Sequence, residues 1–332
     1  MTVVSLALAL QQNDPGEIIH ELSRGNYIYI IPGLLILYLA LALRAYRWKL
    51  LLNNRIDYGH SFNIMNTGYF LNTLLPLRLG EVARSFMTTR LEPPVPMFTS
   101  LSSVVVERLS DTLAVVFLVI IAIMIGPVPP EVSRGALTTG ILVVAGMALM
   151  VVFAVRRDWA HRLLAFVLKL LPFLERFGLT SMMDRVLDGL TPLASLRGAA
   201  SLVLWTALSW TASTVGGYVL MYVFFPEPTW YAALLAIVSA AIAVALPALP
   251  GNVGPYEAAV IFGMTAAGLG GDQFRERAFA YAILLHITNV ATYVTTGWYG
   301  LLRENITLGE LIRVTRQLAN RSKNNTEAQT TP

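Results

Sequence analysis

The chain has no cysteine, only four histidines and few charges for its length. The first absence excludes a disulfide framework and thiolate chemistry. The histidines, His20, His60, His161 and His286, stand far apart, and no metal-ligand spacing such as HExxH occurs. No metal or other cofactor is expected. Charged residues make up 13% of the 332 positions, against about 25% in soluble domains. The net charge is only +4, and the basic residues gather at the ends of apolar runs. That pattern fits topology and snorkelling. Nucleic acid is not an expected partner, because no basic patch is interleaved with aromatics.

What fills the chain instead is apolar sequence. Hydrophobic residues reach 55%, and the mean hydropathy is +0.61. Several runs attain the roughly 20 residues that cross a bilayer as a helix. The fold class is therefore an all-α polytopic membrane protein. A first span lies at about 27–48, with Tyr27 and Tyr29 at one end and Tyr46 and Trp48 at the other as an aromatic belt. Further spans read at about 98–126, 136–155, 200–225, 230–248, 253–270 and 278–302. With the short apolar segment 2–10, this makes about seven to eight transmembrane helices. The longest polar connection is 156–199, where 163–171 reads as an amphipathic helix, lying at the interface or packed on the bundle. Residues 1–303 form one membrane domain, and 304–332 a polar tail expected to be disordered.

The positive-inside rule orients these spans. Arg44, Arg47, Lys49 and Arg55 go to the cytoplasm, as do the basic connection 156–199 and the tail. The segment 61–86 then enters and leaves on the cytoplasmic side, and 247–252 falls on that same side. The expected location is a bacterial or archaeal cytoplasmic membrane.

Two stretches break the apolar pattern alike. "NTLLPLRLGEVAR" at 72–84 and "LPALPGNVGPYEAAV" at 246–260 each run from an apolar lead-in to proline, glycine and then glutamate. Proline removes a backbone donor, and glycine permits positive φ and close approach. Irregular backbone is costly in hydrocarbon unless buried in protein or lining a wet cavity. Paired Gly/Pro interruptions in two halves of a membrane chain point to a transport site. The alternative is a pair of ordinary cytoplasmic loops. The candidates for binding substrate are Asn72, Arg78, Gly80, Glu81 and Arg84 in the first stretch, and Gly251, Gly254 and Glu257 in the second. Free N–H groups at broken helices and the arginines suit phosphate. Glu81 and Glu257 suit a cationic head group, an arginine or a proton.

A third cluster, "SVVVERLSDTLAVVFL" at 103–118, places Glu107 and Asp111 four residues apart on one helical face with Arg108 beside them. It reads either as an interfacial anchor or as a phosphate contact in a central cavity. Softer polar positions inside spans are Ser209, Thr211, Ser213 and Thr214, and the pair His286 and Asn289. For these, helix-packing contacts are the first expectation and cavity lining the second.

These segments resemble the flippase-like membrane family that includes the transmembrane region of lysylphosphatidylglycerol synthases. The matching pieces are "RAYRWKLLL" at 44–52, the two broken stretches, "VVVERLSDTLAV" at 104–115 and "ILLHITNVATYVTTGWYGLL" at 283–302. The resemblance implies an integral membrane protein that moves or accommodates a polar lipid, with two broken or re-entrant segments in pseudo-repeated halves. In better known members a separate cytosolic domain attaches an amino acid to phosphatidylglycerol. Residues 304–332 leave no room for such a domain, so synthase activity is not expected. The implied partners are a membrane lipid, anionic or phosphate-containing and extending to polyprenyl-linked sugars, a separate lipid-modifying enzyme, and a second copy of the chain. Two alternatives to transport stand beside it: a membrane enzyme acting on a lipid-linked substrate, and a non-transporting partner that presents lipid to an enzyme.

Overall fold

Apolar runs without internal proline become helices because a backbone without water must bond to itself. The computed structural model describes residues 15–75, 78–171, 178–245, 250–271 and 274–313, and among them all regular structure is helical. The short apolar segment 2–10, Pro76 and most of the polar tail lie outside the described residues. In chain order the helices are α1 (Pro15–Arg24), α2 (Ile30–Leu51), α3 (Tyr58–Leu74), α4 (Leu79–Met87), α5 (Met97–Ile125) and α6 (Pro130–Val155). They continue with α7 (Arg157–Leu170), α8 (Leu179–Leu190), α9 (Leu196–Met221), α10 (Trp230–Ala245), α11 (Pro255–Met264) and α12 (Arg275–Arg303). Four stretches are long and apolar enough to cross a membrane: Tyr27–Leu51, Met97–Ile125, Ser133–Val155 and Arg275–Arg303. Their outward residues, among them Leu35, Phe117, Met124, Leu137 and Leu142, are exposed, as an apolar solvent requires.

Helices α2 and α9 form the spine. They run antiparallel, since Gly33 meets Leu220 near one end while Arg47 reaches Thr206 near the other. Around this spine the packing is two-fold. Helix α3 packs on α12 and α10 on α5; α4 packs on α5 and α11 on α12; α2 packs on α3 and α9 on α10. Exchanging α2 with α9, the pair α3–α4 with α10–α11, and α5 with α12 maps this list onto itself. Because α2 and α9 point in opposite directions, the two halves are inverted.

Each half contains a hairpin. Gly80 at the start of α4 lies against Gly68 and Asn72 of α3, and Arg84 further on also reaches Gly68, so α4 folds back along α3. Gly263 near the end of α11 lies on Leu235 and Ser239 of α10, so α11 folds back as well. Helix α3 starts at the end where α2 finishes, with Ser61 donating to the Ala45 carbonyl at 2.6 Å. Helix α10 starts at the opposite end, where α9 finishes beside Asn26. The hairpins thus enter from opposite ends of the bundle, and their tips meet: Pro250–Asn252 packs on α3, and Arg78 donates to the Val244 carbonyl.

This corrects the orientation expected above. Pro250–Asn252 packs on α3 beside Thr73, away from the end where 61–86 enters. Helices α10 and α11 have 16 and 10 residues, short of the roughly 20 that span. Hydropathy senses apolar length, not direction. Residues 304–313, placed by composition in the tail, also pack: Ile306 and Leu311 are buried, and Glu304 accepts from Asn63 at 2.8 Å. Helix α7 meets both readings of its segment. Ala160 and Leu164 are buried, whereas Trp159, Leu163, Phe166 and Leu170 form an exposed stripe.

The hairpin crossing depends on a missing side chain. A Cβ on Gly80 would stand 2.0 Å from the Gly68 carbonyl oxygen, whereas one on Gly146 meets nothing within 4 Å. Gly80→Ala is expected to lose about 1–3 kcal/mol through forced separation of α3 and α4. Gly146→Ala is expected to be neutral or slightly stabilising, since alanine suits a helix. Thermal unfolding in detergent compares the two, and equal midpoints would contradict the crossing.

Candidate functional site

A cavity of about 740 Å³ lies where the hairpin tips meet. Thr73, Leu75 and Arg78 border it from the first tip, and Gly251 and Asn252 from the second. Its floor is polar and its far wall apolar, with Val115, Val119, Ala240 and Ala241.

The polar floor is built in two layers, and the lower one is closed to water. Glu107 is fully buried on α5 and receives the Arg84 guanidinium through both oxygens, at 2.7 and 3.3 Å. Arg84, 1% exposed, also lies over the Trp48 ring at 4.3 Å. Arg47, fully buried, donates to Asp111 at 2.7 Å and to Thr206 at 3.1 Å. A guanidinium is retained in such a place because its fixed donors match carboxylates and its face stacks on rings. The helical spacing explains the register. Arg44 and Arg47 of α2, three apart, and Glu107 and Asp111 of α5, four apart, present one edge of each helix to the other.

The upper layer borders the cavity. Arg108 bridges Glu81 at 2.8 Å, Glu107 at 3.2 Å and Asp111 at 3.6 Å, so the first broken stretch and the 103–118 cluster meet on one side chain. Asp111 further accepts from the Trp210 indole at 3.0 Å. Arg44 donates to Ser213 at 3.0 Å and stands over Trp210. Among the described residues neither Arg44 nor Arg78 forms an ion pair with a carboxylate. Arg78 also has left-handed backbone, φ +54°, which costs an L-residue about 1–2 kcal/mol. That strain sits at a cavity wall, where functional strain is found. The whole cluster sets five arginines (Arg44, Arg47, Arg78, Arg84 and Arg108) against three carboxylates (Glu81, Glu107 and Asp111) and so carries a surplus of two positive charges.

A profile of the lysylphosphatidylglycerol synthase TM region matches residues 1–297. The chain belongs to this family. It is also similar to a UPF0104 membrane protein of Methanothermobacter thermautotrophicus, 24% identical over 284 residues that cover 80% of this chain and 84% of the relative. No solved structure matches it. Family and apolar helices together make it a multi-pass membrane protein.

The family's first broken motif, 72–84, divides between scaffold and cavity. Asn72 accepts from the Gly80 amide at 2.8 Å, capping α4, and both Asn72 and Glu81 reach the cavity. Arg78 borders it too, whereas Arg84 points into the buried layer. In the second motif Gly251 lines the cavity, but Glu257 does not. Glu257 accepts from the Gly254 amide at 2.7 Å and pairs with His286 at 2.5 Å. Sequence reasoning passed over Arg44, Arg47 and Trp210, and set His286 and Asn289 down first as packing. Arg44, Trp210, His286 and Asn289 all border the cavity. The signal for the arginines was their three-residue spacing around apolar α2, masked by their resemblance to a topological charge cluster.

The two layers differ in what they tolerate. Glu107→Gln removes the only acid paired with Arg84 and should cost about 3–5 kcal/mol, as for other broken buried pairs. Glu81→Gln should cost far less, because Arg108 is 30% exposed and keeps two other acids. Thermal stability of the two variants decides this, and equal losses would contradict the layering.

Proposed function

We propose that the protein is a lipid flippase that carries a phosphate-bearing head group through the cavity between the hairpin tips. The observation that carries this reading is the pair of arginines, Arg44 and Arg78, that border the cavity and among the described residues form no direct ion pair. A charge held in such a place without a counter-ion is expensive and marks a ligand pathway. The surplus of two positive charges fits a phosphate, and guanidinium donors suit its oxygens. Glu81 stands at the same wall for the cationic or hydroxyl part of a head group. The apolar wall of Val115, Val119, Ala240 and Ala241 accommodates the start of the acyl chains, whose remainder stays in lipid. The family's name points the same way, since lysylphosphatidylglycerol carries a phosphate.

The inverted halves supply the motion. Each hairpin closes the site from its own end of the bundle, so withdrawal of one tip opens the site to one face and withdrawal of the other opens the opposite face. In this reading the protein works in the cell membrane, with α3 and the hairpin it begins entering from the cytoplasmic side and the residues after Arg303 also there. That end carries Lys49, Arg55, Arg90 and Arg303, as the positive-inside rule requires.

Reconstitution in liposomes with labelled phosphate-bearing lipids tests this. The protein is expected to move lipid between leaflets faster than empty vesicles do. Arg44→Gln and Arg78→Gln should each weaken lipid binding by about tenfold or more, the loss of one charge-assisted bond of 1.5–3 kcal/mol. No movement above the empty-vesicle rate for any phosphate-bearing lipid would overturn the proposal.

A further inference from the structure

The second hairpin tip is held by a hydrogen-bond arrangement that counts protons. His286 on α12 is buried and makes two ring contacts: Nδ1 to Glu257 Oε1 at 2.5 Å and Nε2 to the Gly251 carbonyl oxygen at 2.8 Å. A carbonyl only accepts, so Nε2 carries a hydrogen. Glu257 Oε2 already accepts from the Gly254 amide at 2.7 Å. The short contact to Oε1 therefore needs a second hydrogen, on Nδ1 or on the carboxyl. Either way Glu257 and His286 together hold two hydrogens and no net charge.

Removing one of them leaves a single hydrogen for two contacts. A carboxylate attracts it more strongly than a carbonyl does, so it settles on Nδ1. The Nε2 lone pair then faces the Gly251 oxygen, and the contact turns repulsive. Gly251 is the point of the tip. Its φ is +67°, and a Cβ built on it would lie 3.6 Å from the Thr73 carbonyl of the other hairpin. The tip-to-tip seat thus depends on the proton.

We propose that Glu257 and His286 form a proton-binding site that latches the second hairpin tip, holding it when protonated and releasing it when the proton leaves to the cavity. Tyr256 of α11 stacks on His286 at 4.4 Å, with Tyr281 and Tyr293 of α12 beside Tyr256 and Tyr69 of α3 against Tyr293. Around the same cavity stand Arg44, Arg78, Glu81, Arg108 and Asp111, and α10 carries no charged residue. A phosphate bound at this wall brings negative charge beside the pair and favours the protonated form. Proton and anionic head group therefore bind cooperatively, as linkage requires. This last step rests on the proposed lipid site; the latch itself does not.

The absence of native cysteine makes a direct test available. Spin labels at T73C and V253C report whether the tips are seated. Their dipolar coupling is expected to weaken as pH rises in the otherwise unaltered protein. In the Glu257→Gln background it should stay strong throughout, because the amide donates to Nδ1 without a titrating proton and leaves Nε2–H on Gly251. Nitrogen-15 spectra of histidine-labelled protein, with the His286 signal identified by H286Q, give a second readout: Nε2 loses its hydrogen as pH rises in the parent and keeps it in E257Q. Coupling and Nε2 state that ignore pH in the parent, or that change identically in E257Q, would overturn the latch. Lipid movement is a separate arm. Labels that respond without lipid transport preserve the latch and sink the flippase reading; transport with unresponsive labels does the reverse.

Discussion

A helix that stops inside an apolar bundle leaves amides and carbonyls without partners, and hydrocarbon offers none. Two helices of this chain stop there, one entering from each end, and each supplies or borrows what the other side lacks. The Arg78 side chain caps the end of α10 at Val244, the Asn72 side chain caps the start of α4, and His286 holds the Gly251 carbonyl. The proposed site follows from this meeting of tips. It demands polar and charged side chains at the centre of the bundle, and it leaves between the tips the cavity those side chains border.

Charges brought to such a place must be neutralised, and the order in which this happens separates scaffold from site. Glu107 is consumed by Arg84 and Arg47 within a layer that water does not reach, and by Arg108 from the layer above. Asp111 and Glu81 occupy Arg108 above it. The carboxylates run out before the arginines do. Arg44 and Arg78 are left over on the cavity side, held by a hydroxyl, a ring and a carbonyl. A guanidinium at a cavity wall without a direct acid partner leaves donors free, and a ligand phosphate is the counter-charge that the proposed function supplies.

Much of this was legible in the sequence. The two Pro/Gly interruptions marked the broken stretches, and Glu107, Arg108 and Asp111 were marked as one cluster, with Glu81 set apart in the first stretch. The direction of the second hairpin was not legible. The runs 230–248 and 253–270 have the length and hydropathy of crossings, whereas the helices described within them have 16 and 10 residues. Nor could composition divide Arg84 from Arg78, which share a motif six residues apart, because burial of one and exposure of the other to the cavity depends on which flank of α4 faces Glu107. Arg44 was hidden by its neighbours: beside Arg47, Lys49 and Arg55 it reads as one more topological charge.

The central claim is that the cavity between the tips receives a lipid phosphate on Arg44 and Arg78. An experimental structure of the protein purified with native lipid tests it most directly, with the lipid identified by mass spectrometry from the same sample. The account predicts a phosphate within hydrogen-bonding distance of both guanidinium groups and its acyl chains leaving along Val115 and Val119. A cavity holding only water or acyl chain, with Arg44 and Arg78 unchanged and the bound lipid elsewhere, would contradict it.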